Sequence, residues 1–555
     1  MATSPKCAYI RFFTLLIILL FVIVLIRLGF IMLPLYQQTK TYENPKVAQR
    51  VVRGTLYDRN QRILAIQTPY WGVYFHLNAI DDLQFVSEVV APYVQMSPQA
   101  IMQRASNYTT YAQIQAQIDE NMVQPLLDAI QRNNLHGQVN VEKRLGRTYP
   151  GGFHASQLIG FINNEQEGIE GLELSQERYL NPYPNVGIQD TTYGEDITLT
   201  IDMDIQYALD VQLQQIANEH HVDYAMAMVM DATNGDILAV GSYPWFDSNN
   251  RSASSVEQRK NQAVNHLFEP GSVFKLFSMA SILELGEADT TTPFQCDGSY
   301  TFRAGSSDVT INCTSAHGSV DVTSMIAQSC NGAISHWALQ TDRNNFYSML
   351  SSLGFTKSWD IDLPSRANAS IAPPQRWSAR SAPTIAFGQE MLTTALHLVV
   401  AATAFSEEGD LLLPHLILKR TDPVSQNTTY LRERTVTDHI FSSDTTSMIR
   451  EGMHEATLSG GTGSRAAVEG IDIGIKTGTA QLWNPETKSY DQSSFLASSL
   501  ALVPIEAPRY IIYVGAGNPK GTTIYGANIA APAIRNIIQS MISQGKLMKK
   551  DTLLL

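Results

Sequence analysis

From Phe12 to Leu35 the chain is apolar except at Thr14 and Arg27. About 24 such residues make ~36 Å of helix, enough to cross a hydrocarbon layer of ~30 Å with some tilt. A cleavable signal would instead have an apolar core of about 7 to 15 residues ending at a small-x-small site. The segment Leu28-Gly29-Phe30-Ile31-Met32-Leu33-Pro34 lacks that site. The expectation is an uncleaved single-pass anchor over residues 10–36, with the tail 1–9 held inside by Lys6 and Arg11. Arg27 fits a side chain snorkelling to the outer interface, or a partner contact within the membrane.

Everything after Tyr36 then lies outside the cytoplasm, where disulfides can form. The chain carries only four cysteines in 555 residues, which excludes a disulfide-built miniprotein. Cys296 and Cys313 flank a run that reads as strand, Gly305-Ser306 turn and strand. They are candidates for a disulfide across the hairpin, worth about 3 kcal/mol if unstrained, or for two buried thiols. Cys7 and Cys330 have no evident partner. The formal charge of −13 argues against nucleic acid. With 44% hydrophobic and 16% charged residues, most of the chain should bury a core.

No internal repeat is visible. Residues 37–193 mix short strands, such as Trp71–Phe75, with a polar helical stretch expected from Tyr111 to Asn134. Tyr179 to Gly194, with Pro182, Pro184, Gly187 and Gly194, reads as a linker. Beyond it, 196–202 alternates as a strand, Ile205 to Asn218 has helical spacing, and Ala225–Asp231 and Asp236–Gly241 read as a strand pair. A helix followed by a strand hairpin opens an α+β domain, expected over 194–545 with a short tail 546–555.

The chemistry starts at Glu269-Pro270-Gly271-Ser272-Val273-Phe274-Lys275, ahead of the apolar run Leu276 to Leu285. Three residues is just under one helical turn, so Ser272 and Lys275 share a face at the helix start. A serine needs a base to become nucleophilic, and lysine serves only when desolvation or another cation lowers its pKa. Ser-x-x-Lys alone is weak, because Ser543-Gln544-Gly545-Lys546 matches it too. Ser-x-Asn occurs at Ser329-Cys330-Asn331, at Ser248-Asn249-Asn250 and at Ser425-Gln426-Asn427. Lys-Thr-Gly occurs once, at Lys476-Thr477-Gly478, in an alternating strand. Only Ser272, Ser329 and Lys476 together place a helix start, an inter-helix turn and a strand in the order of one cleft. In isolation, Ser329 and Asn331 read as a capped turn, and Thr477 and Thr479 as ordinary strand residues.

In this combination the chain resembles the class B penicillin-binding proteins, the peptidoglycan D,D-transpeptidases, over nearly its whole length. Arg53-Gly54-Thr55-Leu56-Tyr57-Asp58, Tyr149-Pro150, Ile159-Gly160-Phe161 and Gly168-Ile169-Glu170-Gly171-Leu172-Glu173 resemble the family's N-terminal pedestal. Leu199-Thr200-Ile201-Asp202, Asn261-Gln262-Ala263-Val264, Phe387-Gly388-Gln389 and Lys476-Thr477-Gly478-Thr479-Ala480-Gln481 follow in family order. Two departures bear on the shape of the cleft wall. Ile475 stands where Gly is usual, and Thr394-Ala395-Leu396-His397 where Thr-Pro-Leu-Gln is common.

The resemblance implies an anchor in a bacterial cytoplasmic membrane, an extended pedestal, and a serine β-lactamase-like domain built on an antiparallel sheet flanked by helices. It implies that Ser272 attacks the penultimate D-alanine of a stem peptide and expels the last, with Lys275 as its base. Ser329 would pass a proton to the departing amine and Asn331 would hold the donor peptide and Lys275. Lys476 would keep Lys275 neutral. Thr477 and Thr479, with Gly478 between them, would take the substrate carboxylate, and the N–H groups of Ser272 and Thr479 would form the oxyanion hole. β-Lactams would acylate Ser272. No metal or organic cofactor is expected.

A class A β-lactamase would add Glu-x-x-x-Asn between the second and third motifs, and no such pair follows Asn331. A bifunctional enzyme would need a glycosyltransferase domain for which the pedestal is too short. The compact pedestal and Gln166-Glu167-Gly168-Ile169-Glu170-Gly171 resemble the septal, cell-division type, whereas the Cys296 and Cys313 pair leans toward the elongation type. Either would work with a membrane-embedded glycan polymerase. A non-catalytic β-lactam sensor or scaffold is the reading from another class.

Overall fold

The computed structural model describes residues 19–24, 27, 51–183, 191–484 and 489–550. The anchor expected over 10–36 lies outside the described residues except for Leu19–Val24 and Arg27, which are helical and exposed. Among the described residues no helix is long and apolar enough to cross a membrane. The tails at 1–9 and 551–555 and linker residues 184–190 also lie outside them. Val51–Tyr183 and the described residues from Tyr193 onward pack as one compact unit of mixed α/β structure.

A seven-stranded sheet runs in the order Thr428–Leu431, Ile417–Thr421, Asp196–Leu199, Leu56–Tyr57, Ile63–His76 and Tyr111–Ile118, with Val139–Thr148 also on Ile63–His76. Leu56–Tyr57 and Asp196–Leu199 pair in parallel, so the strand that follows the expected boundary at 193 is built into the same sheet as the pedestal. Helices Leu83–Val94, Pro98–Ala105 and Glu120–Arg132 belong to the part whose core holds Val73, Phe75, Val90, Ile101, Ile114 and Leu126. One expectation is corrected here. The helical stretch read from Tyr111 begins as a strand, and the helix starts only at Glu120. Tyr-Ala-Gln-Ile-Gln-Ala-Gln-Ile buries Ala112, Ile114 and Ile118, a period of two that outweighs the helix-neutral Gln residues.

The pedestal motifs meet around one buried carboxylate. Arg53 Nε donates to Glu173 Oε2 at 2.7 Å and Arg147 Nε to Glu173 Oε1 at 2.7 Å. Arg53 also pairs with Glu177 at 2.7 Å, and Arg147 donates to Gly54 O at 2.8 Å. Burial alone would raise the Glu173 carboxyl, but the two guanidinium groups outweigh it and hold it below the usual carboxylate range.

The second sheet positions the chemistry. It is antiparallel throughout and made of β1 (Tyr224–Asp231), β2 (Ile237–Tyr243), β3 (Gly474–Asn484), β4 (Ser489–Val503) and β5 (Tyr510–Gly517), in the order β2-β1-β5-β4-β3. Alternation along β1 sorts its side chains between two cores. Ala225, Ala227 and Val229 pack with residues of α1 (Met203–His220) and α5 (Gly526–Ser543), such as Leu209 and Ile534. Met226, Met228 and Met230 pack with Leu276 and Phe277 of α2 (Lys275–Leu285) on the other face. From Lys275 to Ile282 every residue of α2 is buried, so it is a central helix and not an amphipathic surface one.

Candidate active site

Ser272 lies in a 3₁₀ turn, Gly271–Phe274, that runs directly into α2. With three residues per turn, side chains at i and i+3 eclipse, which brings Lys275 under Ser272 more directly than an α-turn would. Two glycines fix the turn in place. Gly271 has φ +55°, and a Cβ there would sit 2.9 Å from Ala480 Cβ of β3. Gly388, at φ +83°, would put a Cβ 2.2 Å from Gly271 O, and its own carbonyl accepts from Gly271 N–H at 3.0 Å. Phe387-Gly388-Gln389 and β3 thus hold the serine turn from two sides.

Lys275 is fully buried. Its Nζ donates to Ser329 O at 2.6 Å, Ser329 Oγ at 3.1 Å and Asn331 Oδ1 at 2.6 Å. These use all three donors of an ammonium group. Burial pulls the lysine down to about 8, against the opposing pull of the Cys330 and Cys313 sulfurs. Ser329 ends α3 (Val322–Gln328) in the left-handed region at φ 61°, and Cys330 caps α4 (Asn331–Gln340). Asn331 Nδ2 donates to Asn312 O at 2.9 Å, which leaves its Oδ1 turned to Lys275.

Lys476 is also fully buried, and among the described residues its Nζ has one acceptor, Thr477 O at 3.0 Å. Burial first, then Lys275, push it well below the ordinary lysine value. Two buried ammonium groups this close share one charge more readily than two. Three acceptors against one place that charge on Lys275. Burial is the main cause of the lowered value at both lysines, and the repulsion between them, on which the role expected for Lys476 rests, adds to it at Lys476.

The third motif occupies β3, the edge strand of the sheet. Gly478 permits the strand to close on the serine turn, since a Cβ there would lie 3.0 Å from Val273 Cγ2 and 2.8 Å from Ser498 Oγ. Thr477 is buried, and Thr479 Oγ1 accepts from Gly526 N–H at 3.3 Å at the start of α5. The two unusual positions are accommodated locally. Ile475 joins the core on the α1 and α5 side, and His397 is held by Thr394 Oγ1 at 2.8 Å and Lys357 O at 2.8 Å.

Two features escaped the sequence reading. Glu269, three residues before Ser272, accepts from Tyr490 OH and Glu390 N–H, each at 2.9 Å, and burial pushes its carboxyl up to about 7. It lines a hollow of about 530 Å³ with Arg376, Glu390 and Trp483. The second feature corrects the hairpin reading. The hairpin forms as expected, Ser299–Ala304 pairing with Ser307–Asn312, but Cys296 and Cys313 are not linked. Their sulfurs are 3.7 Å apart, where a disulfide needs about 2.05 Å. Cys296 Sγ also meets His317 Nδ1 at 3.4 Å, and Cys313 Sγ meets Cys330 Sγ at 3.8 Å.

Residues 225–539 match the penicillin binding protein transpeptidase domain, and residues 48–192 the penicillin-binding protein dimerisation domain. The chain belongs to the class B penicillin-binding proteins. Among relatives, the probable peptidoglycan D,D-transpeptidase PenA of Neisseria meningitidis is 27% identical over 544 residues, covering 92% of this chain and 89% of PenA. Peptidoglycan D,D-transpeptidase FtsI of Escherichia coli is 23% identical over 517 residues, 88% of this chain and 83% of FtsI. The crystal structure of penicillin binding protein 3 from Mycobacterium tuberculosis, complexed with aztreonam, superposes with a TM-score of 0.72 at 23% identity, over 90% of this chain and 98% of that one. That likeness establishes the fold of this class B penicillin-binding protein.

Proposed function

We propose that this class B penicillin-binding protein is a peptidoglycan D,D-transpeptidase that cross-links stem peptides through an acyl-enzyme on Ser272. The observation that carries the reading is the buried Lys275, which follows the 3₁₀ turn that holds Ser272, is bonded to Ser329 and Asn331 and is electrostatically coupled to Lys476. Lys275 in its neutral form takes the proton of Ser272 as Oγ forms a bond to the carbonyl carbon of the penultimate D-alanine. The C–N bond to the terminal D-alanine then breaks, and the departing amine receives a proton from Lys275 through Ser329 Oγ. An acceptor amine attacks the ester, its C–N bond forms, and Ser272 leaves with its proton restored. The outer edge of β3 suits an extended donor peptide, because an edge strand offers unpaired backbone groups. β-Lactams acylate Ser272 and leave slowly, since no Glu-held water is provided by the sequence between Asn331 and Lys476.

The proposed setting is septal wall synthesis at a bacterial cytoplasmic membrane, with residues 10–36 as the anchor and the catalytic domain outside. The apolar run Phe12–Leu35 and the pedestal motif Gln166–Gly171 support it, and a membrane-embedded glycan polymerase is the partner this setting calls for. Release of D-alanine and formation of cross-linked dimers from uncross-linked glycan strands tests the reaction. Wild type should produce both in equal amounts and Ser272→Ala neither; D-alanine released without cross-links would make the enzyme a carboxypeptidase instead.

A further inference from the structure

We propose that Cys296, Cys313, His317 and Cys330 form a structural zinc site that fixes the Ser329-Cys330-Asn331 turn of the catalytic cleft. The four donor atoms all lie within 4.8 Å of one another. A tetrahedral zinc with Zn–S of ~2.3 Å and Zn–N of ~2.0–2.1 Å sets sulfur pairs about 3.8 Å apart and sulfur–nitrogen pairs about 3.5 Å apart. Two of the three sulfur pairs are at 3.7 and 3.8 Å and one of the three sulfur–nitrogen pairs, Cys296–His317, is at 3.4 Å, with the remaining pairs within 4.8 Å. Thiolates and imidazole are the donors that zinc prefers, and three cysteines with one histidine close its coordination shell. The site is therefore of the structural kind and takes no part in the acyl transfer.

The surrounding backbone is arranged for thiolates. Gly332 N–H donates to Cys313 Sγ at 3.3 Å and Ala333 N–H to Cys330 Sγ at 3.4 Å, both from the first turn of α4. Such second contacts orient metal ligands and favour their anionic form. Strand Phe294–Cys296 pairs with Gly318–Val320, and His317 N–H donates to Cys296 O at 3.1 Å, so these two ligands are set by one short ladder. Cys313 directly follows the strand Ser307–Asn312. Three short pieces of chain and the cap of α4 thus converge on one point, although Cys296 and Cys330 are far apart in sequence.

The consequence for the cleft follows from adjacency. Cys330 lies between Ser329 and Asn331, the two residues that bind Lys275 Nζ. Asn312, whose carbonyl holds Asn331 Nδ2, is the neighbour of Cys313. Both sides of that contact are tied to the metal, and Ser329, at its positive φ, is one residue from a ligand. The cysteines and histidine are positioning residues. On binding, zinc displaces the thiol protons to solvent and forms three Zn–S bonds and one Zn–N bond.

The test uses the full chain purified in detergent without chelators, with zinc measured by mass spectrometry and thiols by titration. One zinc per chain is expected. After chelator treatment, added zinc should restore one equivalent, and cobalt should give thiolate-to-metal charge-transfer absorption. Cys313→Ala and His317→Ala should lose the metal, Cys313→Asp should retain part of it, and Cys7→Ser should keep all of it. Removing zinc from wild type should slow acylation of Ser272 by a penicillin at least tenfold, with re-addition restoring the rate while circular dichroism stays unchanged. Chelator-treated wild type that takes up neither metal, or a peptide map showing Cys296 bonded to Cys313, overturns the site, whether or not any variant folds. Zinc that binds without changing the acylation rate overturns the positioning role.

Discussion

Acylation of Ser272 by a penicillin should rise about tenfold per pH unit up to pH 8 and then level off, because the base is neutral Lys275. Burial holds this lysine down to about 8 from an ordinary 10.5. At a midpoint of 8 the neutral fraction is about 1% at pH 6, about 9% at pH 7 and about 91% at pH 9, a roughly ninety-fold span. The shift corresponds to about 3 kcal/mol of differential interaction. In stability terms the sign is opposite to that of a paired lysine. Between about 8 and 10.5 the unfolded chain binds a proton that the folded chain lacks, so stability rises with pH across that window. Below it, holding the buried charge is a constant cost that the three hydrogen bonds to Ser329 and Asn331 reduce. The informative perturbation is Lys476→Met. Since burial dominates at Lys275, the midpoint should stay within about half a unit of 8 while the plateau rate falls. Second-order rate constants for a fluorescent penicillin, taken by rapid quench from about pH 6 to 10, give both quantities. A wild-type midpoint near 10, or an upward shift of more than about one unit in Lys476→Met, would refute burial as the controlling cause.

Asn331→Asp sets a carboxylate in place of the amide oxygen 2.6 Å from Lys275 Nζ, and should raise the acylation midpoint by about 1–3 units, read from the same profile. Glu173→Ala leaves the buried Arg147 without its carboxylate and Arg53 with Glu177 alone, and should cost about 3–5 kcal/mol in chemical denaturation. Because the Glu173 carboxyl lies below its usual value, its stabilisation is present above the ordinary carboxylate range and is lost as pH falls through the folded value, so the variant should also lose acid sensitivity. Gly388→Ala, with a Cβ 2.2 Å from Gly271 O and a positive φ, should displace the serine turn and slow acylation more than tenfold, with stability falling by about 1–3 kcal/mol.

The parts of the site that are local in sequence were legible. Ser272 and Lys275 lie one turn apart, and the hairpin between Cys296 and Cys313 is announced by alternation around Gly305. The pedestal motifs were recognised as a set, but only the fold shows that Arg53, Arg147 and Glu173 meet. Contacts that depend on long-range closure were not readable. In sequence Cys313 is matched with Cys296 across its hairpin, whereas its sulfur also meets Cys330, equally distant along the chain but placed within the Ser-x-Asn motif. The strand at Tyr111 was missed because glutamines at every second position look helical until the pairing with Ile63–His76 is seen. Spacing likewise gives the proximity of Lys275 and Lys476 but not the number of acceptors each one finds.

The central claim is that Ser272 is the residue that becomes acylated. Intact-mass spectrometry of the penicillin-treated full chain, followed by peptide mapping, tests it most directly. The account predicts a single adduct with the mass of one penicillin, located on the peptide containing Ser272 and absent from Ser272→Ala. An adduct on another residue, or the same adduct persisting in Ser272→Ala, would contradict it.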